Sequence, residues 1–150
     1  MVDIHTQMMQ LALEQAKKAA QQGEVPVGAV VYDCEGTILA AAHNEVEMRQ
    51  DPTAHAEFIA CQKAAKQKGD MYLTDCTVAI TLEPCAMCAQ ALSWFRVKEI
   101  RFGAYDVKSG GTENGARVLA HAHHKPMVIG GILEEECKLV LQQFFKEKRK

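Results

Sequence analysis

The segment CTVAITLEPCAMCAQALSWF, running from Cys76 to Phe95, places a strand directly before a helix. Cys76 to Leu82 is an apolar run of strand length. Pro84 follows, and a residue at a helix start needs no N–H donor, so a helix is expected from Pro84 to about Phe95. Working outward toward the N-terminus, Ile4 to Gln22 carries Ile4, Met8, Leu11, Ala12 and Ala19 near a 3.6-residue period, an amphipathic helix that Gly23 ends. Val27 to Tyr32 and Thr37 to Ala42 flank Asp33-Cys34-Glu35-Gly36 as a β-hairpin. A polar loop from Asn44 to Asp51 leads into Asp51-Pro52-Thr53, residues that start helices, and a helix is expected from Ala54 to Lys68. Toward the C-terminus come a strand at Glu99 to Ala104, a Gly-rich loop at Asp106 to Gly115 and a short helix around Val118. A fifth strand is expected at Met127 to Ile132, then a last helix at Leu133 to Lys148. Strands alternating with helices predict an α/β domain of three layers, α/β/α, with the sheet covered on both faces.

A chain of 150 residues, 48% hydrophobic and 24% charged, fits one globular domain spanning 1–150. No apolar run approaches the roughly 20 residues that span a bilayer, so no membrane association is expected. Met1 to His5 lacks a basic segment followed by an apolar stretch, so the expected address is the cytoplasm. Cysteines in that reducing setting stay free, and Cys34, Cys61, Cys76 and Cys137 read as small packing residues. The formal net charge of −2 does not advertise nucleic-acid binding. The last five residues, Lys146 to Lys150, nevertheless carry a net +3, a local patch that can attract phosphates.

His55-Ala56-Glu57 and Pro84-Cys85-Ala86-Met87-Cys88 both lie where a loop becomes a helix. Cys85 and Cys88 are three apart, so on a first turn both sulfurs can face one side. The positive end of the helix dipole there favours thiolate over thiol. Two thiolates and an imidazole supply three ligands to one Zn²⁺ and leave its fourth tetrahedral position open, the pattern of catalytic rather than structural zinc. Glu57, about 200° around an ideal helix from His55, reaches the same cavity only at a helix mouth. A carboxylate beside the metal without ligating it can move protons. The order His-x-Glu and then Pro-Cys-x-x-Cys, after a predicted strand, is the zinc-deaminase signature.

At these residues the chain resembles the cytidine deaminase superfamily, and within it the bacterial tRNA-specific adenosine deaminases. The runs Glu24 to Val30, Asp51 to Glu57 and Thr81 to Ala89 carry the resemblance. Phe102-Gly103-Ala104, Asp106, Gly131-Ile132-Leu133 and Phe144-Phe145 extend it over nearly the whole chain. It implies a five-stranded mixed sheet of the cytidine deaminase-like kind, a homodimer and one zinc per subunit. It also implies hydrolytic conversion of adenosine to inosine at wobble position 34, with tRNA-Arg of anticodon ACG as the substrate.

Transferred to matching positions, Asn44 hydrogen-bonds the flipped base, and Val27, Ala56 and Pro84 help to form its pocket. Asp106 touches the anticodon strand, and Phe145 with the basic tail contacts the anticodon stem-loop. Read without the resemblance, Asn44 is a turn residue and Phe144-Phe145 are core. His43 stands where this family often carries a bulky aromatic, and Ser109 to Gly115 and Ala120 to Lys125 match loosely. His121, His123 and His124 read as solvated loop residues.

Two other functions fit parts of the pattern. The same site serves deaminases of free guanine, cytosine or dCMP. A non-catalytic zinc-stabilised binding module requires a fourth protein ligand, for which Cys34 and Cys76 are the candidates.

Overall fold

The computed structural model describes residues 2–148; Arg149 and Lys150, the end of the basic tail, lie outside the described residues. Helix α1 (Ile4–Gln21) is capped by Asp3, whose side chain accepts the Thr6 N–H at 2.9 Å. It buries Met8, Met9, Ala12, Leu13, Ala16 and Ala19 along one face. The hairpin strands are β1 (Gly28–Asp33) and β2 (Ile38–His43). After them come α2 (Val46–Arg49), α3 (Ala56–Lys68), β3 (Cys76–Leu82), α4 (Ala86–Trp94) and β4 (Glu99–Ala104). A 3₁₀ turn at Val118–His121, β5 (Met127–Ile129) and α5 (Glu134–Lys148) complete the chain.

The five strands form one mixed sheet in the order β2-β1-β3-β4-β5. β1 is antiparallel to both β2 and β3, whereas β3, β4 and β5 run parallel. The expected fold class is therefore observed, with helices on both faces. β1 shows how one strand serves two cores. Ala29 and Val31 face the cluster built with Ile59, Ala60 and Leu92, while Val30 and Tyr32 face the cluster of Met8, Met9, Ala12 and Leu13. Gly28 is required by the close approach of α1, since a Cβ there would stand 2.0 Å from the Ala12 carbonyl oxygen.

Three differences from the sequence reading matter for the site. The polar loop after β2 contains α2. Helices α3 and α4 begin two residues later than expected, at Ala56 and Ala86. β5 is three residues long because the chain leaves the ladder at Gly130, where any side chain would collide with Phe102 and Tyr105. The topology gathers the start of β1 and the ends of β2, β3 and β4 at one edge of the sheet. That edge is where ligands bind in open α/β sheets.

Candidate active site

The late helix starts decide where the chemistry points. His55 is the N-cap of α3 and Cys85 the N-cap of α4, both with extended backbone (ψ 148° and 174°) and neither capping its own helix. Their side chains are thereby turned off the helix axes toward each other. Cys88 is at the third position of α4, and side chains at the N-cap and third positions meet, as they do in a capping box. His55 Nδ1 lies 3.6 Å from Cys85 Sγ and 3.4 Å from Cys88 Sγ. The three donor atoms all fall within 4.8 Å of one another, the one such His/Cys/Asp/Glu group among the described residues.

A tetrahedral ion with Zn–N of about 2.0 Å and Zn–S of about 2.3 Å sets its nitrogen and sulfur donors about 3.5 Å apart. The observed separations match that spacing, so the donors fit a single zinc ion.

The thiols behave as a pair. Cys85 is drawn down to about 4, first by the Cys88 thiol that donates to it and then by His55 and the Cys88 backbone N–H, against the cost of burial. Cys88 is pushed far above the usual thiol range by that same interaction and by its burial. His55 is held above its ordinary value chiefly by the Cys85 sulfur, with Glu57 adding to the effect and burial opposing it. Glu57, in the first turn of α3, is buried, and loss of water pushes its carboxyl up to about 7. His55, Glu57 and Cys85 line one cavity of about 720 Å³, within the range of small-molecule sites.

Val27, Asn44, Asp106 and Phe145 line the same cavity. Ala56 and Pro84 do not line it, and both are buried. The Ala56 N–H donates to Asn44 Oδ1 at 2.8 Å, and the Pro84 carbonyl accepts the Gly111 N–H at 2.7 Å. Asn44 therefore caps α3 in place of His55, which frees the imidazole for other work. Because a backbone N–H can donate only to the amide oxygen, the Asn44 NH₂ group is left as the donor for a ligand. Phe144 and Phe145, which also line the cavity, meet edge to face with 5.4 Å between centroids. Lys148 Nζ stands 5.6 Å from the Phe144 ring centre. These aromatics are not core.

Cys34 is exposed, and Cys76 begins β3, whose far end leads to Cys85. At about 3.3 Å per residue the strand sets Cys76 about 20 Å from that end. Neither can complete the metal site. The loop histidines make no metal group among the described residues: the ring of His124 is tied to the Val97 carbonyl at 2.7 Å, and His123 lies against Trp94.

Two residues to which the sequence reading gave no role are Glu24 and Glu83, both almost wholly buried. Glu24 accepts the Glu47 and Met48 N–H groups at 3.0 and 2.8 Å, capping α2 from outside it. Glu83 accepts from the loop after β4. Burial opposes its ionisation, but donors from Asn114, Asp106 and Thr112 outweigh that and hold its carboxyl below the usual range. The available signal was a carboxylate beside an apolar, Pro-containing run, in Glu24-Val25-Pro26 and Leu82-Glu83-Pro84.

Residues 2–104 match the family model of the cytidine and deoxycytidylate deaminase zinc-binding region. The chain is 44% identical over 144 residues to a tRNA-specific adenosine deaminase of Bacillus subtilis, covering 95% of this chain and 89% of that protein. It is 40% identical over 146 residues to one from Agrobacterium fabrum, covering 96% and 95%. A structure from a study of A-to-I editing by tRNA:A34 deaminases superposes with a TM-score of 0.88 at 38% identity, covering 91% of this chain and 99% of that one. A guanine deaminase from Nitrosomonas europaea shares the fold, with a TM-score of 0.82 at 20% identity, covering 93% and 83%. Ligand spacing, sheet order and whole-length similarity agree: the chain belongs to the tRNA-specific adenosine deaminases, within the cytidine and deoxycytidylate deaminase zinc-binding family.

Proposed function

We propose that this chain, acting as a single domain, hydrolyses adenosine to inosine at wobble position 34 of a tRNA anticodon, with tRNA-Arg of anticodon ACG as its substrate. The observation that carries this reading is a three-donor metal group, two of whose members line one cavity with the buried Glu57, and the presence of Phe144, Phe145 and Lys148 in the lining of that cavity. His55, Cys85 and Cys88 would hold the zinc, which when bound supplies a water acidic enough to lose a proton near neutral pH. Glu57 takes that proton and delivers it to the ring nitrogen as a C–O bond forms at C6. Glu57 then takes the proton of the new C6 hydroxyl and hands it to the amino group, so that the C6 carbonyl forms, the C–N bond breaks and ammonia leaves. The Asn44 NH₂ holds the base by an acceptor on its edge, and Val27 packs beside it. Asp106 meets the anticodon strand.

Phe145, 45% exposed, offers the π-face on which a neighbouring base stacks, and Lys148 offers charge to a phosphate. A free base needs neither. The adenine must be unstacked to reach the metal, at a cost of about a few kcal/mol that is smallest in a loop. In the same reading the protein works in the cytoplasm as a homodimer. Met71 and Trp94, each 63% exposed on one groove, are apolar surface that a second copy would cover. No helix among the described residues is long and apolar enough to cross a membrane.

The direct test compares ammonia release from a tRNA-Arg transcript carrying adenosine at position 34 with release from free guanine and cytosine, with sedimentation of the same preparation. Release from the transcript alone is the expected result. Turnover of guanine or cytosine without the transcript would assign the site to free bases.

Asn44 allows its two roles to be separated. Asn44→Ala removes the cap of α3 and the donor to the base together, so stability is expected to fall by about 1 kcal/mol along with activity. Asn44→Asp keeps an acceptor for the Ala56 N–H and suits the helix dipole, but it has no NH₂. Its melting temperature should stay near wild type while deamination falls by up to about 10²-fold, the scale of one buried polar group left unsatisfied. Full activity in Asn44→Asp would remove Asn44 from base recognition.

A further inference from the structure

The loop from Asp106 to Asn114 has no regular structure, yet one buried carboxylate holds it at five points. Glu83 Oε1 accepts the Asp106 N–H at 3.0 Å and the Asn114 side-chain NH₂ at 2.9 Å. Oε2 accepts the Thr112 hydroxyl at 2.9 Å and the Glu113 and Asn114 N–H groups, both at 2.8 Å. Glu83 is 2% exposed, and no lysine or arginine pairs with it among the described residues. The loop closes around it so tightly that a Cβ on Gly110 would stand 2.6 Å from the carboxylate. The frame beneath is the metal-bearing segment itself, since Gly111 donates to the Pro84 carbonyl and Gly110 bridges Cys85. The other end of the connection is Asp106, in the cavity wall, whose Oδ1 in turn accepts the Ser109 N–H at 3.0 Å.

We propose that Glu83 is a positioning residue for substrate: by collecting these five donors it fixes Asp106 at a set place relative to the metal donors, and so governs how the RNA is held. The proposal rests on the reading of Asp106 as an RNA contact given above. It assigns Glu83 neither a metal bond nor a proton to move.

Glu83→Gln is a directed test. Its amide can keep its oxygen toward Thr112, Glu113 and Asn114 and lose the two contacts made at Oε1, or turn round and lose the three made at Oε2. The first is cheaper, and the Asn114 amide can rotate to offer its oxygen to the new NH₂. The Asp106 N–H is then the group left facing a donor. Three results are expected of Glu83→Gln with an anticodon stem-loop bearing adenosine at position 34. KM rises about tenfold, the scale of one lost hydrogen bond to a charged group. kcat stays within about twofold and metal content stays at one per chain, because the removed interaction positions substrate rather than reacting with it. Amide exchange at Asp106 quickens, because that N–H has lost its acceptor.

Asp106→Ala is expected to raise KM similarly, and the double variant no further, since one residue acts through the other. Additive effects, a fall in kcat at unchanged KM, loss of metal or unchanged exchange at Asp106 would each overturn the proposal. If Asp106→Ala leaves KM unchanged, the RNA contact of Asp106 is refuted and the substrate-holding role of Glu83 with it, whereas exchange in Glu83→Gln still reports whether Glu83 orders the loop. Should Glu83→Gln fail to fold, Asn114→Ala removes one of the five contacts from the loop side. The same KM shift, about threefold, is then expected with quickened exchange at Asp106, and no change in either would refute the proposal.

Discussion

Glu57→Gln is expected to lower deamination of the wobble adenosine by about 10³-fold, with metal content and fold retained, because proton transfer by a positioned side chain contributes about 10²–10⁴-fold. The substitution keeps the shape of the side chain and removes the group that can accept a proton. Glu57 is buried at the first turn of α3, and it lines the cavity with His55 and Cys85 without belonging to the three-donor metal group. Its carboxyl, pushed up to about 7 by burial, is poised to take and return a proton near neutral pH.

The same shift has a sign that can be measured on protein stripped of metal. A carboxyl whose folded value is raised contributes stability below its unfolded value, and that contribution is lost as pH rises through the folded one. Metal-stripped wild type should therefore lose stability between about pH 4.5 and 7 that Glu57→Gln keeps. Melting curves at either end of that window should converge in acid and favour the variant in base. A Glu57→Gln protein that still turned over substrate at the wild-type rate would sink the assignment.

The metal site was readable because its parts are local. Cys85 and Cys88 are bound by the geometry of one helical turn, and Glu57 is tied to His55 by two residues of chain. β3 was equally readable: its residues are buried almost without exception, and a strand covered on both faces must be apolar along its length. What could not be read is what depends on distant partners. α2 is four residues long and has no side-chain cap of its own; Glu24 supplies one from more than twenty positions earlier. The start of α3 was misplaced because its cap is Asn44, not a residue at the junction, and a helix start written His-Ala-Glu carries none of the usual capping letters. Phe144 and Phe145 look like core residues from composition alone. Only the packing of α5 beside the cavity makes them part of its lining. Glu83 shows the limit most plainly, since its partners begin 23 residues away, in a loop whose sequence has no periodicity.

Cys88→Ser is expected to abolish metal retention and activity together, while Cys34→Ser and Cys76→Ser leave both near wild type. A serine hydroxyl keeps its proton at neutral pH and cannot replace a thiolate. Cys88 is fully buried, so no other donor can swing into its place. Metal analysis after dialysis against a chelator reads the first effect and ammonia release the second. The neighbouring Cys85 sulfur and burial push the Cys88 thiol up, so binding requires it to give up a proton as it becomes a ligand. Retention should accordingly weaken as pH falls, by about tenfold per unit for each proton displaced, and competition with a chelator across neutral pH measures that slope. The contrast between the cysteines separates an enzyme from a zinc-stabilised binding module. Metal release by Cys76→Ser would mean that a fourth protein ligand reaches the ion from the opposite end of β3. Such a ligand would close the position that water needs and leave Glu57 with no proton to carry.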